Sequence, residues 1–176
     1  MTGTSTPSNW YALRTQNESA AESALAPLTD EVFVPRRAVT NSAGHRSVRP
    51  VIPRLMFMRS TEHNALELEL NSRRGLIQGL PSFWIYRYQT GGAIQPITPK
   101  EMNLMRLLTA DDTSRCEVYT KTDFRKGDHI RVAAGPFAGY EGYVRRIARN
   151  LHVIVEIEGV CSIALPFIHP DLLEKI

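Results

Sequence analysis

The sequence predicts an α+β protein, with an antiparallel sheet and helices in its first hundred residues and a small all-β barrel after them. Strand-like and helix-like segments alternate up to residue 110, and residues 111–123 then lose apolar periodicity and become acidic. From residue 124 onward, short strand-like segments follow one another without a helix, which is typical of a small barrel that pairs its own edges. A chain of 176 residues accommodates two such domains.

The domain organisation follows from these shifts in composition. Residues 1–8 are rich in Ser and Thr and are predicted to form a disordered tail. Residues 9–110 form the first domain, residues 111–123 form a linker, and residues 124–176 form the barrel.

The first domain opens with a predicted strand and helix. Residues 9–15 are rich in aromatic and β-type residues and predict a strand. Residues 16–28 are rich in Ala and predict a helix. Ser19 and Glu22 have the spacing of a capping box, and Pro27 ends the helix.

Two further strands are predicted over residues 31–40 and 47–60. The residues between them have turn composition, and Gly44 can take a positive φ there. Pro50 and Pro53 lie in the first half of the second strand. Because proline cannot donate to a ladder, this half is predicted to be a sheet edge or an irregular lead-in.

The remaining elements of the first domain are a helix over residues 62–70, a strand over residues 83–89 and a closing helix. In the first of these helices, Leu66 and Leu70 lie four residues apart. The closing helix has the strongest signal, because Thr98 and Glu101 form a capping box around Pro99.

Short strands are predicted in the barrel over residues 129–133, 143–147, 152–158 and 160–165. In the third of these, apolar side chains recur with a period of two at Val153, Val155 and Ile157. These residues are β-branched, which favours a strand over a helix.

The charge distribution favours a polyanionic or acidic partner for the first domain. The net charge is only +3, but residues 1–110 carry 12 Lys and Arg against 8 Asp and Glu. An acid-free stretch from Val32 to Thr61 contains Arg36, Arg37, Arg46, Arg49, Arg54 and Arg59. Arginine suits bidentate contacts with phosphates and carboxylates, although a solvated arginine face remains the alternative.

Several function classes lack a sequence signal. No apolar run reaches the ~18 residues of a transmembrane helix, and the N-terminus has no secretory signal pattern. Two distant cysteines and five scattered histidines offer no metal-ligand spacing. No nucleophile elbow, P-loop or dinucleotide fingerprint is present. We therefore expect a cytoplasmic, monomeric protein without enzymatic activity, cofactor, metal or membrane contact.

One local pattern in the second half resembles a known motif. Residues 126–132 (KGDHIRV) turn into a strand, and residues 135–144 (GPFAGYEGYV) turn the chain back through closely spaced glycines. This pattern resembles the KOW motif of NusG-type transcription factors and of some ribosomal proteins. The matching positions are Gly127, Asp128, Val132, Gly135, Pro136, Phe137, Gly139 and Gly142.

The first half continues the resemblance in the order of the NusG N-terminal (NGN) domain. Trp10-Tyr11 resembles the opening of its first strand, and residues 31–35 resemble its second. Ile52-Pro53 followed by Leu55-Met56-Phe57 resembles its proline-containing strand. The resemblance covers residues 9–176 and implies an NGN-like domain followed by an SH3-like KOW barrel.

The resemblance implies a function in transcription. Domains of the NGN type bind the clamp helices of RNA polymerase through an apolar patch, which favours processive elongation. By position, the candidates for this patch are Trp10, Tyr11, Ile52, Pro53, Leu55 and Phe57. Several of these could instead be core residues. The candidates for contact with nucleic acid (non-template DNA or nascent RNA) or with the polymerase are Arg14, Arg36, Arg37, Arg73 and Arg74. The KOW barrel could bind a ribosomal protein or Rho.

The sequence also departs from the family pattern. After Pro53 the family usually has Gly or Asn and then Tyr, whereas this chain has Arg54 and Leu55. This departure, with the unusual residues 79–93, resembles specialised paralogues such as the UpxY antiterminators of polysaccharide operons. The alternative function is a ribosome-associated KOW-type RNA-binding protein, although a net charge of +3 is low for one.

Overall fold

The computed structural model describes residues 6–109, 127–147, 150–157, 159–165 and 173–176. It contains two compact units, Met1–Met102 and Asn103–Ile176. The predicted linker and residues 1–5 of the predicted tail lie outside the described residues. The boundaries of the four predicted segments therefore stay a prediction. At the tail, the first strand already includes Ser8, one residue earlier than expected.

The first unit is built on an antiparallel sheet. Strand β1 (Ser8–Thr15) pairs with β5 (Leu55–Thr61) on one side and with β6 (Phe83–Ile85) and β7 (Pro96–Ile97) on the other. Strand β2 (Glu31–Phe33) lies outside β5, so the order is β2-β5-β1-β6. Strand β6 is therefore an edge strand.

Two helices cover one face of this sheet. Helices α1 (Glu18–Leu25) and α2 (Glu62–Arg73) contribute Ala21, Leu25, Ala65 and Leu68 to a buried core. The strands contribute alternate residues to the same core: Tyr11, Leu13, Met56, Met58, Phe83 and Ile85. Because side chains alternate along a strand, the residues between these point to the opposite face.

The cap of α1 differs from the predicted one. Helix α1 is capped by Asn17, whose side-chain oxygen accepts the Ala20 N–H at 3.0 Å, so the predicted Ser19–Glu22 capping box is wrong. The carboxylate of Glu22 instead pairs with Arg36 at 2.9 Å. A short 3₁₀ turn containing Pro27 follows the helix. Helix α2 is capped by the Thr61 hydroxyl.

The buried face of α2 also differs from expectation. Leu66 and Leu70, which suggested the helix, are about 40% exposed (39% and 41%). The buried face of the helix is a different one, formed by Ala65, Leu68, Glu69 and Ser72. The helix is present, but a carboxylate and a hydroxyl occupy half of its inward face.

The two predicted strands over residues 31–40 and 47–60 each divide in two. Strands β3 (Arg36–Thr40) and β4 (Arg46–Pro50) form a separate two-stranded hairpin. Its base is closed by a hydrogen bond from the Val51 N–H to the Pro35 carbonyl at 2.8 Å. The chain then turns through Arg54, which is the only non-glycine residue with positive φ (68°) in the described part of the chain.

The last elements of the first unit lead into helix α3 (Pro99–Thr109). The strand predicted over residues 83–89 ends at Ile85, and the chain beyond it forms a turn closed by a bridge between Arg87 and Ile94. The predicted capping box is confirmed. The Glu101 N–H donates to Thr98 Oγ1 at 3.2 Å, and the Thr98 N–H donates to Glu101 Oε2 at 2.8 Å.

The second unit contains an antiparallel sheet of five strands in the order β11-β10-β9-β8-β12. The strands are β8 (His129–Val132), β9 (Glu141–Ile147), β10 (Asn150–Ile157), β11 (Cys161–Ala164) and β12 (Leu173–Lys175). The first four match the predicted strands closely, whereas β12 has no counterpart among them. The predicted α+β fold class is confirmed.

Candidate functional site

The residues predicted to bind RNA polymerase do not share one surface. Trp10 and Tyr11 are consecutive in β1, so their side chains point to opposite faces of the sheet. Tyr11 belongs to the helix-covered core and is 2% exposed. Burial raises the pKa of its hydroxyl. Tyr11 therefore does not lie in an exposed patch beside Trp10.

Leu55 and Phe57 share the second face with Trp10. In the register of β1 and β5, Phe57 lies opposite Ala12 and Leu55 lies opposite Arg14. Phe57 also pairs with Phe33 of the neighbouring strand β2, with ring centroids 6.4 Å apart. Leu55 and Phe57 are buried, however, so neither side chain is exposed for a partner. Trp10 is half-buried.

Ile52 and Pro53 lie in the turn that leads into β5. Ile52 is half-buried and its carbonyl accepts the Leu55 N–H at 3.4 Å, while Pro53 is exposed. Arg54 then takes its left-handed conformation, with its backbone N–H bonded to the Glu18 carboxylate. Of the six predicted patch residues, Trp10, Ile52 and Pro53 are accessible at least in part.

Two of the predicted nucleic-acid-binding arginines are engaged with carboxylates. Arg36 pairs with Glu22 at 2.9 Å, and Arg73 lies 3.6 Å from Glu69 on the same helix. Their charge is thus partly neutralised within the first unit.

The other three predicted arginines lie at different places. Arg37 is half-buried in the β3–β4 hairpin and lies directly opposite Arg49. Arg14 is exposed in β1, and Arg74 is exposed at the C-cap of α2. The Arg37–Arg49 register thus places two like charges opposite each other in the hairpin, an arrangement that by itself weakens strand pairing.

A buried ion pair between Glu69 of α2 and Arg87, two residues beyond β6, has no counterpart in the sequence prediction. Glu69 is 2% exposed, and its carboxylate accepts the Ile85 N–H at 2.6 Å. Both guanidinium nitrogens of Arg87 donate to it, at 2.6 Å and 3.1 Å. Burial by itself would raise the pKa of Glu69, but the hydrogen bonds from Arg87 and Ile85 outweigh burial and lower it.

The lowered pKa of Glu69 predicts acid sensitivity of the first unit. A carboxyl whose pKa is lower in the folded state contributes stability above its unfolded pKa of about 4.3, and this stability is lost as the pH falls through the folded pKa. Urea unfolding from about pH 7 down to about pH 3 checks this in the wild type and in Glu69→Gln. Their difference in unfolding free energy should shrink towards acid, and a constant difference would contradict the assignment.

An exposed tryptophan lies at the edge of the same sheet. Trp84 in β6 is 45% exposed and lies directly opposite Arg14 in β1. It points to the second face, because its neighbours Phe83 and Ile85 belong to the core of the first. The sequence contains a signal for this position, since Phe83, Trp84 and Ile85 alternate as core, surface and core.

The KOW-like residues shape the turn between β8 and β9. The Val132 N–H donates to the Tyr140 carbonyl at 2.9 Å, and the Gly139 N–H donates to the Val132 carbonyl at 2.8 Å. Val132 and Phe137 are buried. Gly127, Gly135 and Gly139 have positive φ, Pro136 is exposed, and Asp128 ion-pairs with Lys175 at 3.3 Å.

Gly142 is required because of a close backbone contact, not because of a positive φ. A Cβ atom at this position would lie 2.2 Å from the carbonyl oxygen of Ile154 in the neighbouring strand. The backbones of β9 and β10 thus approach each other too closely for any side chain here.

Among the described residues, no group of three or more His, Cys, Asp or Glu side chains could hold a metal ion. No helix in the described ranges is long and apolar enough to cross a membrane.

Comparison with known proteins places this α+β arrangement beside NusG. No protein-family model matches the chain. A structure of Thermotoga maritima NusG, solved to examine domain interaction, covers 96% of this chain and 97% of its own, with 20% identity and a TM-score of 0.53. A structure of the MjSpt4:Spt5 complex covers 95% of this chain, but its TM-score of 0.27 supports no argument.

The sequence itself is also similar to NusG. The transcription termination/antitermination protein NusG of Borreliella burgdorferi is 30% identical over 67 residues, which are 36% of this chain and 36% of that protein. The similarity thus spans about a third of the curated relative. The chain has the fold of NusG and is similar to it in sequence, which confirms the predicted resemblance to NusG-type factors. The narrower resemblance to UpxY antiterminators stays a prediction.

Proposed function

We propose that the chain is a NusG-type transcription elongation and antitermination factor that acts in the cytoplasm, binds RNA polymerase through its first unit and has no catalytic activity. The observation that carries this proposal is the NusG fold over 96% of the chain. The 67-residue similarity to a transcription termination/antitermination protein supports it independently. The target operons would be of the polysaccharide type, as in UpxY-like paralogues.

The polymerase-binding surface in this proposal centres on Trp10 and the turn at Ile52 and Pro53. Trp10 is half-buried on the second face of the sheet, and tryptophan is enriched at the energetic centres of protein interfaces. Ile52 and Pro53 add apolar area in a turn fixed by the hydrogen bond from Leu55 to Ile52. Leu55 and Phe57 stabilise the strand beneath rather than contact the partner.

Retention of core RNA polymerase by the tagged full-length chain tests this proposal. We expect the double variant Trp10→Ala, Ile52→Asp to reduce retention at least about tenfold, because each interface hot spot contributes roughly 2 kcal/mol or more. The control is Leu76→Ala, which removes an apolar side chain that is 66% exposed elsewhere in the first unit. A wild-type chain that retains no polymerase would refute the proposal.

One feature of the second unit favours the alternative, a ribosome-associated RNA-binding protein. Tyr143 is 57% exposed and stacks on His129 with ring centroids 4.8 Å apart, which gives β8 and β9 an exposed aromatic surface. In the main proposal the same unit would bind a ribosomal protein or Rho. Sedimentation of a cell lysate separates the two functions: comigration with ribosomes and not with polymerase would favour the alternative.

A further inference from the structure

We propose that the β1–β6 edge of the first unit binds single-stranded nucleic acid, with Trp84 stacking on a base and Arg14 contacting a backbone phosphate. This inference rests on the proposed function, which would bring the first unit close to the nucleic acid of a transcribing polymerase. It adds an aromatic base-stacking contact to the arginine contact already predicted for Arg14.

The register of the sheet brings these two side chains together. Arg14 and Trp84 are directly opposite in the antiparallel β1–β6 pair, where Cβ atoms lie about 4.5–5.5 Å apart. Both point to the second face, and both are exposed. Because β6 is the last strand on its side of the sheet, no further strand among the described residues limits access to the Trp84 ring from that side.

The backbone that carries Trp84 is held firmly. Phe83 and Ile85, on either side of it, are 0% and 3% exposed. The Ile85 N–H is fixed by the buried Glu69 carboxylate at 2.6 Å. An aromatic ring on a fixed backbone loses little conformational entropy when a ligand stacks on it, so this position is prepared for binding.

The charges around Trp84 favour an anionic ligand. Arg14 makes no ion pair with a carboxylate of the described residues. The strand residues on the second face include one acid, Glu31, which lies on the far side of the sheet, 4.0 Å from Arg59. Arg54 lies next to Leu55, the residue opposite Arg14 in β5, and its backbone N–H is bonded to the Glu18 carboxylate, so Arg14 is the cation available beside Trp84.

Base stacking on a tryptophan requires a base that is not already stacked in a duplex. The combination of an exposed aromatic ring and a neighbouring unpaired cation is typical of surfaces that follow single strands, where each stacked base contributes roughly 1–3 kcal/mol. We therefore expect single-stranded DNA or RNA to bind better than a duplex of the same sequence.

Fluorescence anisotropy with labelled oligothymidine and oligouridine of about 16 nucleotides, using the full-length chain without polymerase, tests the inference. Trp84→Ala should weaken binding at least about fivefold, and Trp84→Phe should restore most of the loss. Arg14→Ala should weaken binding and reduce its salt dependence by about one phosphate contact. The matched control is Leu76→Ala, which removes an apolar side chain that is 66% exposed elsewhere in the first unit and should leave affinity unchanged.

Other outcomes would overturn the inference. Unchanged affinity of Trp84→Ala, or equally tight binding of the duplex, would exclude base stacking at this position. If Trp84→Ala lost polymerase retention and kept oligonucleotide affinity, the edge would be a protein-binding surface. Because oligonucleotide binding is measured without polymerase, failure of the inference and failure of the proposed function give different results.

Discussion

Replacing Glu69 by alanine is expected to lower the free energy of unfolding of the first unit by about 3–5 kcal/mol, the usual effect of breaking a buried ion pair. The substitution leaves Arg87 with a partly buried charge and leaves the Ile85 N–H without its acceptor. Thermal unfolding should shift down by about 4–8 °C for each kcal/mol lost. Circular dichroism of the full-length chain measures this shift.

A matched control is available on the same helix. Glu67 is 59% exposed and pairs with His63 at 3.6 Å, so Glu67→Ala removes an exposed carboxylate four residues from its partner. It should change stability by no more than about 0.5 kcal/mol. If Glu69→Ala behaved like Glu67→Ala, the buried pair would contribute nothing. The double variant Glu69→Leu, Arg87→Met should recover part of the loss, since it removes both buried charges.

Replacing Gly142 by alanine is expected to destabilise the second unit by about 3 kcal/mol or more. The new Cβ would lie 2.2 Å from the Ile154 carbonyl oxygen and 2.8 Å from its carbonyl carbon. Both atoms belong to the backbone of β10, so β9 and β10 must move apart, which exceeds ordinary overpacking costs of about 1–3 kcal/mol. A domain of this size has little stability to lose.

The amide spectrum of the full-length chain by NMR measures this effect, because β-strand resonances of the second unit should collapse in Gly142→Ala while those of the first remain. Gly139→Ala is the control. Gly139 has φ +86° and open space around its Cβ position, so alanine there costs only about 1–2 kcal/mol of backbone strain. A well-folded Gly142→Ala unit would show that the strand contact can relax.

The parts of the fold that sequence reasoning located correctly depend on neighbouring residues. The Thr98–Glu101 capping box and the alternation of Val153, Val155 and Ile157 are encoded within a few positions, and the structure confirms both. The Ser19–Glu22 box failed although its spacing was correct, because α1 begins at an Asn17 cap and Ser19 lies inside the helix. Glu22 pairs instead with Arg36, 14 residues away.

The features that sequence reasoning missed depend on distant contacts. Glu69 and Arg87 are 18 residues apart, and nothing local indicates that a glutamate points into the core. The inward face of α2 was misassigned for the same reason, since Leu66 and Leu70 seemed the natural apolar pair. In the candidate site, the alternation of side chains along a strand is enough to predict that Trp10 and Tyr11 point to opposite faces. The burial of Phe57 depends on the strands paired with its own, so the local sequence does not predict it.

Arg54, one of the departures from the family pattern, lies in a left-handed turn. The family usually has Gly or Asn at this position, and those residues tolerate a positive φ, whereas arginine at φ 68° costs about 1–2 kcal/mol. That free energy corresponds to roughly a 5- to 30-fold change in the ratio of folded to unfolded protein. The strain at this one exposed residue is therefore large enough to change the fraction of unfolded chain that cellular proteases can reach.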